Sequence, residues 1–173
     1  AAGSIGSEIV RQVASFKPSQ LVLIDQAETP LHDIRLMMKR KFVDIPTLTL
    51  TASIGHKLHM EVVFREYKPD YVFHAAAYKH VPMMEDNPGE AVANNIDGTR
   101  IIADLAVKYG TKKFVMVSTD KAVNPTNVMG CSKRICEMYC QSLNKAITDG
   151  RIKGCTQFVT TRFGNVLGSN GSV

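Results

Sequence analysis

Short apolar segments alternate with longer amphipathic segments along this chain, and this alternation constrains the fold more than any other feature. The apolar segments are brief and rich in β-branched or aromatic residues, as in strands buried on both faces: residues 21–24, 48–50, 71–73, 114–117 and 158–160. Strand–helix–strand repetition predicts right-handed βαβ units and a doubly wound, Rossmann-like parallel sheet with helices on both faces. We expect one domain over residues 1–173.

Helical patterns fill the spaces between these segments. Apolar residues recur at spacings of three and four in two of them, Ile5, Ile9, Val13 and Phe16 in the first and Ile101, Ile102, Leu105 and Tyr109 in the second. Segments 53–67 and 128–147 are also long enough to form helices. Pro18, Pro69 and Gly110 follow helical patterns and precede strands, which supports the same boundaries.

A glycine-containing turn, Gly3-Ser4-Ile5-Gly6, leads into the first helical pattern. Glycines let the backbone approach a pyrophosphate, and a helix N-terminus offers unpaired N–H groups and partial positive charge. Asp25 ends the next apolar segment, where an acidic side chain accepts hydrogen bonds from an adenosine ribose. Gln26 follows, with no neighbouring Arg or Lys to hold a 2′-phosphate. These residues predict dinucleotide binding and favour NAD over NADP.

No strand pattern precedes this turn, although the first strand of a doubly wound sheet lies at its centre. Without that strand, two neighbouring strands leave buried N–H and C=O groups unpaired. We therefore expect either an excised segment of a longer chain or a sequence whose first residues are missing.

Composition narrows the classes of partner. A formal net charge of +5 favours anionic ligands, but the one tight basic cluster, Lys39-Arg40-Lys41, is typical of a solvated helix end and predicts no nucleic-acid binding. No signal peptide is visible and no apolar run approaches the ~20 residues of a membrane span, so no membrane contact is expected from this segment. The cysteines lack Cys-x-x-Cys spacing, which indicates reduced thiols in a cytosolic protein, and the histidines have no metal-ligand spacing.

Further polar segments follow the later strands and should gather at the carboxyl edge of the sheet, where open α/β folds bind ligands. They are His74–Pro82, Ser118–Pro125 and Met129–Lys133. The last resembles the Tyr-x-x-x-Lys pair of the extended short-chain dehydrogenase/reductase family, with Met129 in place of the tyrosine and Lys133 kept. Together with 75–82 and 162–169, the run from Ser118 to Arg134 is similar to nucleotide-sugar 4,6-dehydratases of bacterial polysaccharide biosynthesis, the UDP-N-acetylglucosamine 4,6-dehydratase and capsular polysaccharide subgroup.

This resemblance implies oxidation of a sugar at carbon 4, loss of water across carbons 5 and 6, and return of the hydride to carbon 6. It gives Asp120 the role of acid toward the departing hydroxyl and Lys121 the role of base at carbon 5, while Thr119 binds the oxygen at carbon 4. An ordinary lysine is protonated at neutral pH, so Lys121 needs burial or the cationic nicotinamide to favour its neutral form. Met129 cannot take a proton, which leaves Asp120 or a water as the base for the first oxidation.

The resemblance also implies residues that contact the cofactor and the UDP-sugar. Lys133 is expected to bind the nicotinamide ribose. The small residues Ala75, Ala76 and Ala77 are expected to let the cofactor pass close to the backbone. Asn95 belongs to a helix motif at the floor of the active site. Ser53 and Ile54 occupy the adenine region, where the family usually has an aspartate. Substrate contacts are expected from Lys79, His80 and Asn165.

Two other functions compete with this interpretation. A nucleotide-sugar 4-epimerase uses the same fold but normally keeps the tyrosine that Met129 replaces, and a non-catalytic NAD-binding module has no reason to keep both Asp120 and Lys121. In extended family members a later, smaller domain grips the nucleotide-sugar, and its absence after residue 173 predicts that this segment alone is inactive. Homo-oligomerisation and a cytoplasmic location are also implied, and in membrane-anchored members this domain lies on the cytoplasmic side.

Overall fold

A computed structural model describes residues 1–164 and 166, in which helices and strands alternate in the predicted order. The strands are β1 (Leu21–Asp25), β2 (Thr47–Thr51), β3 (Tyr71–His74), β4 (Lys113–Thr119) and β5 (Gln157–Phe163). The helices are α1 (Ser4–Ser15), α2 (Glu28–Lys41), α3 (Lys57–Tyr67), α4 (Val81–Asp86), α5 (Pro88–Glu90), α6 (Gly98–Lys108) and α7 (Val128–Thr148). A π-helical turn, Ala91–Asp97, leads into α6, and a 3₁₀ turn, Asp120–Ala122, follows β4.

The strands form parallel sheets in two compact units, residues 1–53 and 54–164. In the first unit β1 pairs with β2, and Asp25 lies opposite Thr51. In the second unit the strand order is β3-β4-β5, and Thr119 lies opposite Phe163. Parallel pairing with helices on both sides confirms the predicted Rossmann-like α/β class. As predicted, no strand precedes α1 in the described part of the chain. A single domain over 1–173 stays a prediction.

Two helix predictions differ from the structure in detail. Helix α1 buries Gly6, Val10 and Ala14, whereas Phe16, placed in the predicted apolar stripe, is 84% exposed. The reason is that α1 ends one residue earlier and the chain turns away at once through Lys17, which has a φ of 52°. The helix predicted over residues 53–67 begins only at Lys57.

The core of the second unit forms around the middle of its sheet. Phe114 and Met116 on β4 are fully buried, and the Phe114 ring lies 5.1 Å from Phe158 and 5.7 Å from His74, measured between ring centroids. This packing fixes His74 at the end of β3, from which one of the predicted functional segments continues. None of the helices in residues 1–164 is long and apolar enough to cross a membrane.

Candidate functional site

The glycine turn of the first unit brings the start of α1 close to the chain before it. A Cβ on Gly6 would lie 2.7 Å from the carbonyl oxygen of Ala1, so only glycine allows this approach. Gly3 occupies the N-cap position with no side-chain cap, and nothing lies within 4 Å of the place where its Cβ would be. Ser4 and Ile5 form the first helical residues. The turn therefore leaves open space beside a helix N-terminus, which suits an anionic group.

Asp25 lies at the end of β1 and organises the backbone near this turn. Its Oδ2 accepts hydrogen bonds from the nitrogens of Ala1 (2.8 Å) and Ala2 (2.6 Å), and its Oδ1 accepts one from the Ala27 N–H (2.9 Å). Burial raises the pKa of Asp25, whereas the hydrogen bonds from the Ala27 and Ala2 N–H groups act to lower it. A carboxylate has about four acceptor positions, so a ribose hydroxyl can still be bound. The predicted neighbours Gln26 and Ser53 are exposed.

In the second unit, the segment after β3 lines a surface cleft. Ala75, Ala76 and Ala77 are half-buried in an extended stretch, and Lys79 and His80 are exposed beyond it. The cleft has a volume of about 400 Å³, and its walls are Tyr78, Lys79, His80, Met83, Met84, Asn87 and Glu90. The two residues predicted to contact the sugar nucleotide thus share one concave surface.

Asn95 holds this segment against α7. It lies in the π-helical turn, is 1% exposed, and its Oδ1 accepts a hydrogen bond from the Tyr78 N–H at 2.8 Å. Its Nδ2 donates to the Tyr78 carbonyl oxygen at 3.1 Å and to the Ser132 Oγ at 2.9 Å. The whole amide is therefore used in positioning the chain after β3, and a direct contact between Asn95 and a cofactor stays a prediction.

Thr119, Asp120 and Lys121 form one hydrogen-bonded group at the carboxyl end of β4. The Thr119 hydroxyl donates to Asp120 Oδ1 at 2.9 Å and accepts from the Lys121 N–H at 3.3 Å. The same Oδ1 accepts from the Lys121 N–H at 2.9 Å and from the Lys121 Nζ at 3.4 Å. Both charged side chains remain open to solvent, with 56% of Asp120 and 37% of Lys121 exposed.

The electrostatics of this group favour an ionised Asp120. The hydrogen bond from Thr119 is the largest cause that lowers the pKa of Asp120, and the Lys121 ammonium lowers it further, against a smaller opposing effect of desolvation. Among the described residues, no hydrogen bond reaches Asp120 Oδ2, which is therefore the oxygen available for proton transfer.

Met129 lies in the first turn of α7, four residues before Lys133. The side chain is 3% exposed and packs in an apolar cluster with Met84 and Ala91. A thioether in this environment takes no proton, so any catalytic contribution of Met129 is confined to packing. The next residue, Gly130, brings α7 so close to the loop after β4 that a Cβ there would overlap the Lys121 carbonyl oxygen.

The side chain of Lys133, on α7, is almost completely buried. It is 6% exposed, and burial lowers its pKa while the nearby Cys136, Cys140 and Glu137 oppose that shift. No residue of the described chain forms a hydrogen bond or ion pair with its ammonium. A buried ammonium without such a partner fits the predicted contact with a ribose.

Glu137 and Arg162 were not identified from the sequence. Glu137 is unexposed, and Arg162 binds both of its oxygens, Nε to Oε1 at 2.8 Å and Nη2 to Oε2 at 2.6 Å. Arg134 adds a contact to Oε2 at 3.0 Å. Burial alone would raise the pKa of Glu137, but these partners lower it to about 2. The four-residue spacing from Lys133, which puts both side chains on one helix face, was the one sequence signal for Glu137.

The remaining predicted residues do not belong to the groups of side chains described above. The Ile54 side chain is buried and lies where a Cβ on Gly98 would be, so it packs in the core of the second unit. Asn165 is outside the described residues. Burial lowers the pKa of His74 to about 3, so this ring is neutral, and its Nε2 hydrogen-bonds the Thr99 hydroxyl at 2.8 Å. Within the described chain, no cluster of three or more His, Cys, Asp or Glu side chains could hold a metal ion.

Comparison with known sequences points to one family. The family profile described as "Polysaccharide biosynthesis protein" matches residues 1–173. The capsular polysaccharide biosynthesis protein CapD of Staphylococcus aureus is 48% identical over 174 residues, which cover 100% of this chain and 28% of CapD. A UDP-N-acetylglucosamine 4,6-dehydratase (inverting) of Campylobacter jejuni is 31% identical over 172 residues, covering 99% of this chain and 48% of that enzyme.

Solved structures show the same fold. Pen from Bacillus thuringiensis superposes with a TM-score of 0.86 at 32% identity, covering 99% of this chain and 50% of that one. A UDP-glucose 4-epimerase from Thermus thermophilus in complex with NAD gives a TM-score of 0.75 at 22% identity, covering 95% of this chain and 54% of that one. The chain therefore spans about half or less of the length of the proteins that it matches.

Proposed function

The chain belongs to the polysaccharide biosynthesis protein family, within the short-chain dehydrogenases/reductases, and on this premise we propose that the complete gene product is an NAD-dependent UDP-N-acetylhexosamine 4,6-dehydratase. The observation that carries the proposal is the hydrogen-bonded group of Thr119, Asp120 and Lys121 at the carboxyl end of β4. Dehydration needs an acid and a base side by side, and this group supplies both on one short turn.

The residues of the first unit fit the dinucleotide. Open space beside Gly3 and the uncapped start of α1 suit the pyrophosphate, and Asp25 keeps acceptor capacity for ribose hydroxyls. In the second unit, Lys133 is proposed to bind the nicotinamide ribose. When bound, NAD supplies the hydride acceptor for oxidation at carbon 4 of the sugar. The absence of an Arg or Lys next to Asp25 supports NAD rather than NADP.

The chain's own residues supply the proton transfers. Thr119 binds the oxygen at carbon 4, Lys121 removes the proton from carbon 5, and Asp120 delivers a proton to the hydroxyl that leaves carbon 6. Lys121 removes the proton as a neutral amine, a form that the cationic nicotinamide would favour, and returns a proton to carbon 5 when the hydride reaches carbon 6. Asp120 passes the proton that it receives from the hydroxyl at carbon 4 to the hydroxyl that leaves carbon 6. Exposure of both side chains allows a substrate to reach them, and Lys79 and His80 line a concave surface suited to a sugar or diphosphate.

Met129 supports dehydration over epimerisation. A 4-epimerase reverses a single oxidation and uses a proton-transferring side chain at this position, whereas the buried thioether of Met129 transfers none. A dehydratase can perform its proton transfers with Asp120 and Lys121 alone. The epimerase and a non-catalytic NAD-binding module remain the competing functions: the first predicts a C4-epimer and the second predicts no product.

The test is turnover of UDP-N-acetylglucosamine by the complete gene product with NAD in D₂O. We expect a 4-keto-6-deoxy product that carries deuterium at carbon 5, because Lys121 exchanges the proton that it removes with solvent. Lys121→Ala should abolish the product, while Lys112→Ala, a matched change at an exposed ion pair with Asp70, should not. A C4-epimer without deuterium would identify an epimerase, and unchanged turnover by Lys121→Ala would contradict the proposed mechanism.

A further inference from the structure

A two-point ion pair between Arg162 and Glu137 joins α7 to β5 beside the proposed catalytic turn. Arg162 lies opposite Ser118 in the sheet, one position before the pair of Thr119 with Phe163. Its guanidinium binds both oxygens of Glu137, the geometry in which an arginine–carboxylate pair is strongest. The Glu137 side chain is unexposed, whereas the Arg162 side chain is partly exposed, so water reaches the arginine side of the pair.

Glu137 also lies one helical turn after Lys133. Side chains four residues apart on a helix are neighbours, and both of these are buried. An unshared carboxylate at this position would attract the ammonium strongly, because little water is present to screen the charges. Among the described residues, however, Lys133 and Glu137 form no ion pair. The Glu137 carboxylate instead forms ion pairs with Arg134 and Arg162.

We propose that Arg162 is a positioning residue, which occupies the Glu137 carboxylate and thereby keeps the Lys133 ammonium available to the nicotinamide ribose. The inference rests on the proposed role of Lys133 in cofactor binding. Arg134 is an auxiliary partner, since it reaches only Oε2 and leaves Oε1 to Arg162. Loss of Arg162 frees Oε1, and Lys133 then turns toward Glu137 and away from the cofactor.

The experiment measures NAD affinity of the complete gene product by isothermal titration calorimetry. Arg162→Met should weaken binding about tenfold, the loss expected for one hydrogen bond to a charged group. The double variant Arg162→Met/Glu137→Gln should recover affinity to within about threefold of wild type, because a neutral amide does not hold the ammonium. Arg134→Met is the matched control, and a change of no more than about twofold is expected because Arg162 still binds both oxygens.

A purely structural ion pair gives a different result. It lowers the melting temperature of Arg162→Met but leaves NAD affinity unchanged, and that outcome overturns the inference, as does a double variant that binds as weakly as the single one. If Arg162→Met does not fold, Arg162→Lys keeps the charge, frees one oxygen and should show the same loss and rescue. Lys133→Met tests the role of Lys133 separately from that of Arg162. Unchanged NAD affinity in this variant contradicts the proposed contact of Lys133 with the ribose.

Discussion

Replacement of Asn95 by alanine should loosen the segment that carries the predicted sugar-nucleotide contacts. The change removes two hydrogen bonds to the Tyr78 backbone and one to Ser132 Oγ, all between 2.8 and 3.1 Å. Each buried hydrogen bond contributes about 1 kcal/mol, and a polar group that loses its partner costs more. The expected loss in the free energy of unfolding is therefore about 3 kcal/mol.

The assay is urea unfolding of the complete gene product followed by circular dichroism. The matched control is Asn94→Ala, which removes the same kind of side chain from the same π-helical turn. Within the described residues the Asn94 side chain makes one hydrogen bond, from its Nδ2 to Asn95 Oδ1, and Asn94 is partly exposed, so a loss of about 0.5 kcal/mol is expected. Asn95→Asp keeps the acceptor for the Tyr78 N–H but places oxygen against the Tyr78 carbonyl, and should fall between the two.

Activity should follow the same order. Because Lys79 and His80 directly follow Tyr78, a loosened segment should raise the KM for the nucleotide-sugar more than it lowers kcat. The reasoning is refuted if Asn95→Ala loses no more stability than Asn94→Ala, since the bonds to Tyr78 would then contribute nothing to holding this segment.

Changes at three other residues of the site have specific expected effects on stability or activity. Gly130→Ala should cost about 1–3 kcal/mol of stability and most of the dehydratase turnover, because its methyl group meets backbone rather than a flexible side chain. Gly89→Ala, where nothing lies within 4 Å, is its control in the same thermal and kinetic assays. The pKa of Glu137, lowered from 4.5 to about 2, gives stability that is present above pH 4.5 and is lost as the pH falls toward 2. This contribution is about 2 kcal/mol, less than the full shift implies because both arginines are partly exposed, and urea unfolding at several pH values should show it disappear in Glu137→Gln. Thr119→Val removes the main cause that lowers the pKa of Asp120, so the acidic limb of the kcat/KM profile should move to higher pH; an unmoved limb would mean that Asp120 does not control it.

The sequence was sufficient for the fold because the fold depends on a local pattern. Strands buried on both faces have to be short and apolar, and helices that cover them have to be amphipathic, so the alternation of the two is visible without any long-range information. The turn at Gly3–Gly6 and the acidic end of β1 were visible for the same reason. Details at helix ends were not, because the position of Phe16 depends on where the chain turns and not on periodicity.

The supporting interactions of the site could not be predicted because they join residues far apart in sequence. Glu137 and Arg162 are separated by 25 residues and Asn95 and Ser132 by 37, and in each case one side chain is an ordinary member of a helical pattern. The π-helical turn that directs Asn95 toward Tyr78 has the same residue types as an α-helix. Such residues are recognised only when the elements that carry them are already packed.

Because Met129 cannot take a proton, another group has to accept the proton of the hydroxyl at carbon 4 in the proposed oxidation. The ionisation state of Asp120 indicates that this group is Asp120. An acid has to be protonated before it acts, yet Thr119 and Lys121 stabilise the carboxylate form of Asp120. The carboxylate is the form that can accept the hydroxyl proton from carbon 4 during oxidation, and its Oδ2 accepts no hydrogen bond from the described residues. A protonated Asp120 is then ready to protonate the hydroxyl that leaves carbon 6. In the proposed dehydratase mechanism one aspartate thus acts first as base and then as acid, so no proton-transferring side chain is required at the position of Met129.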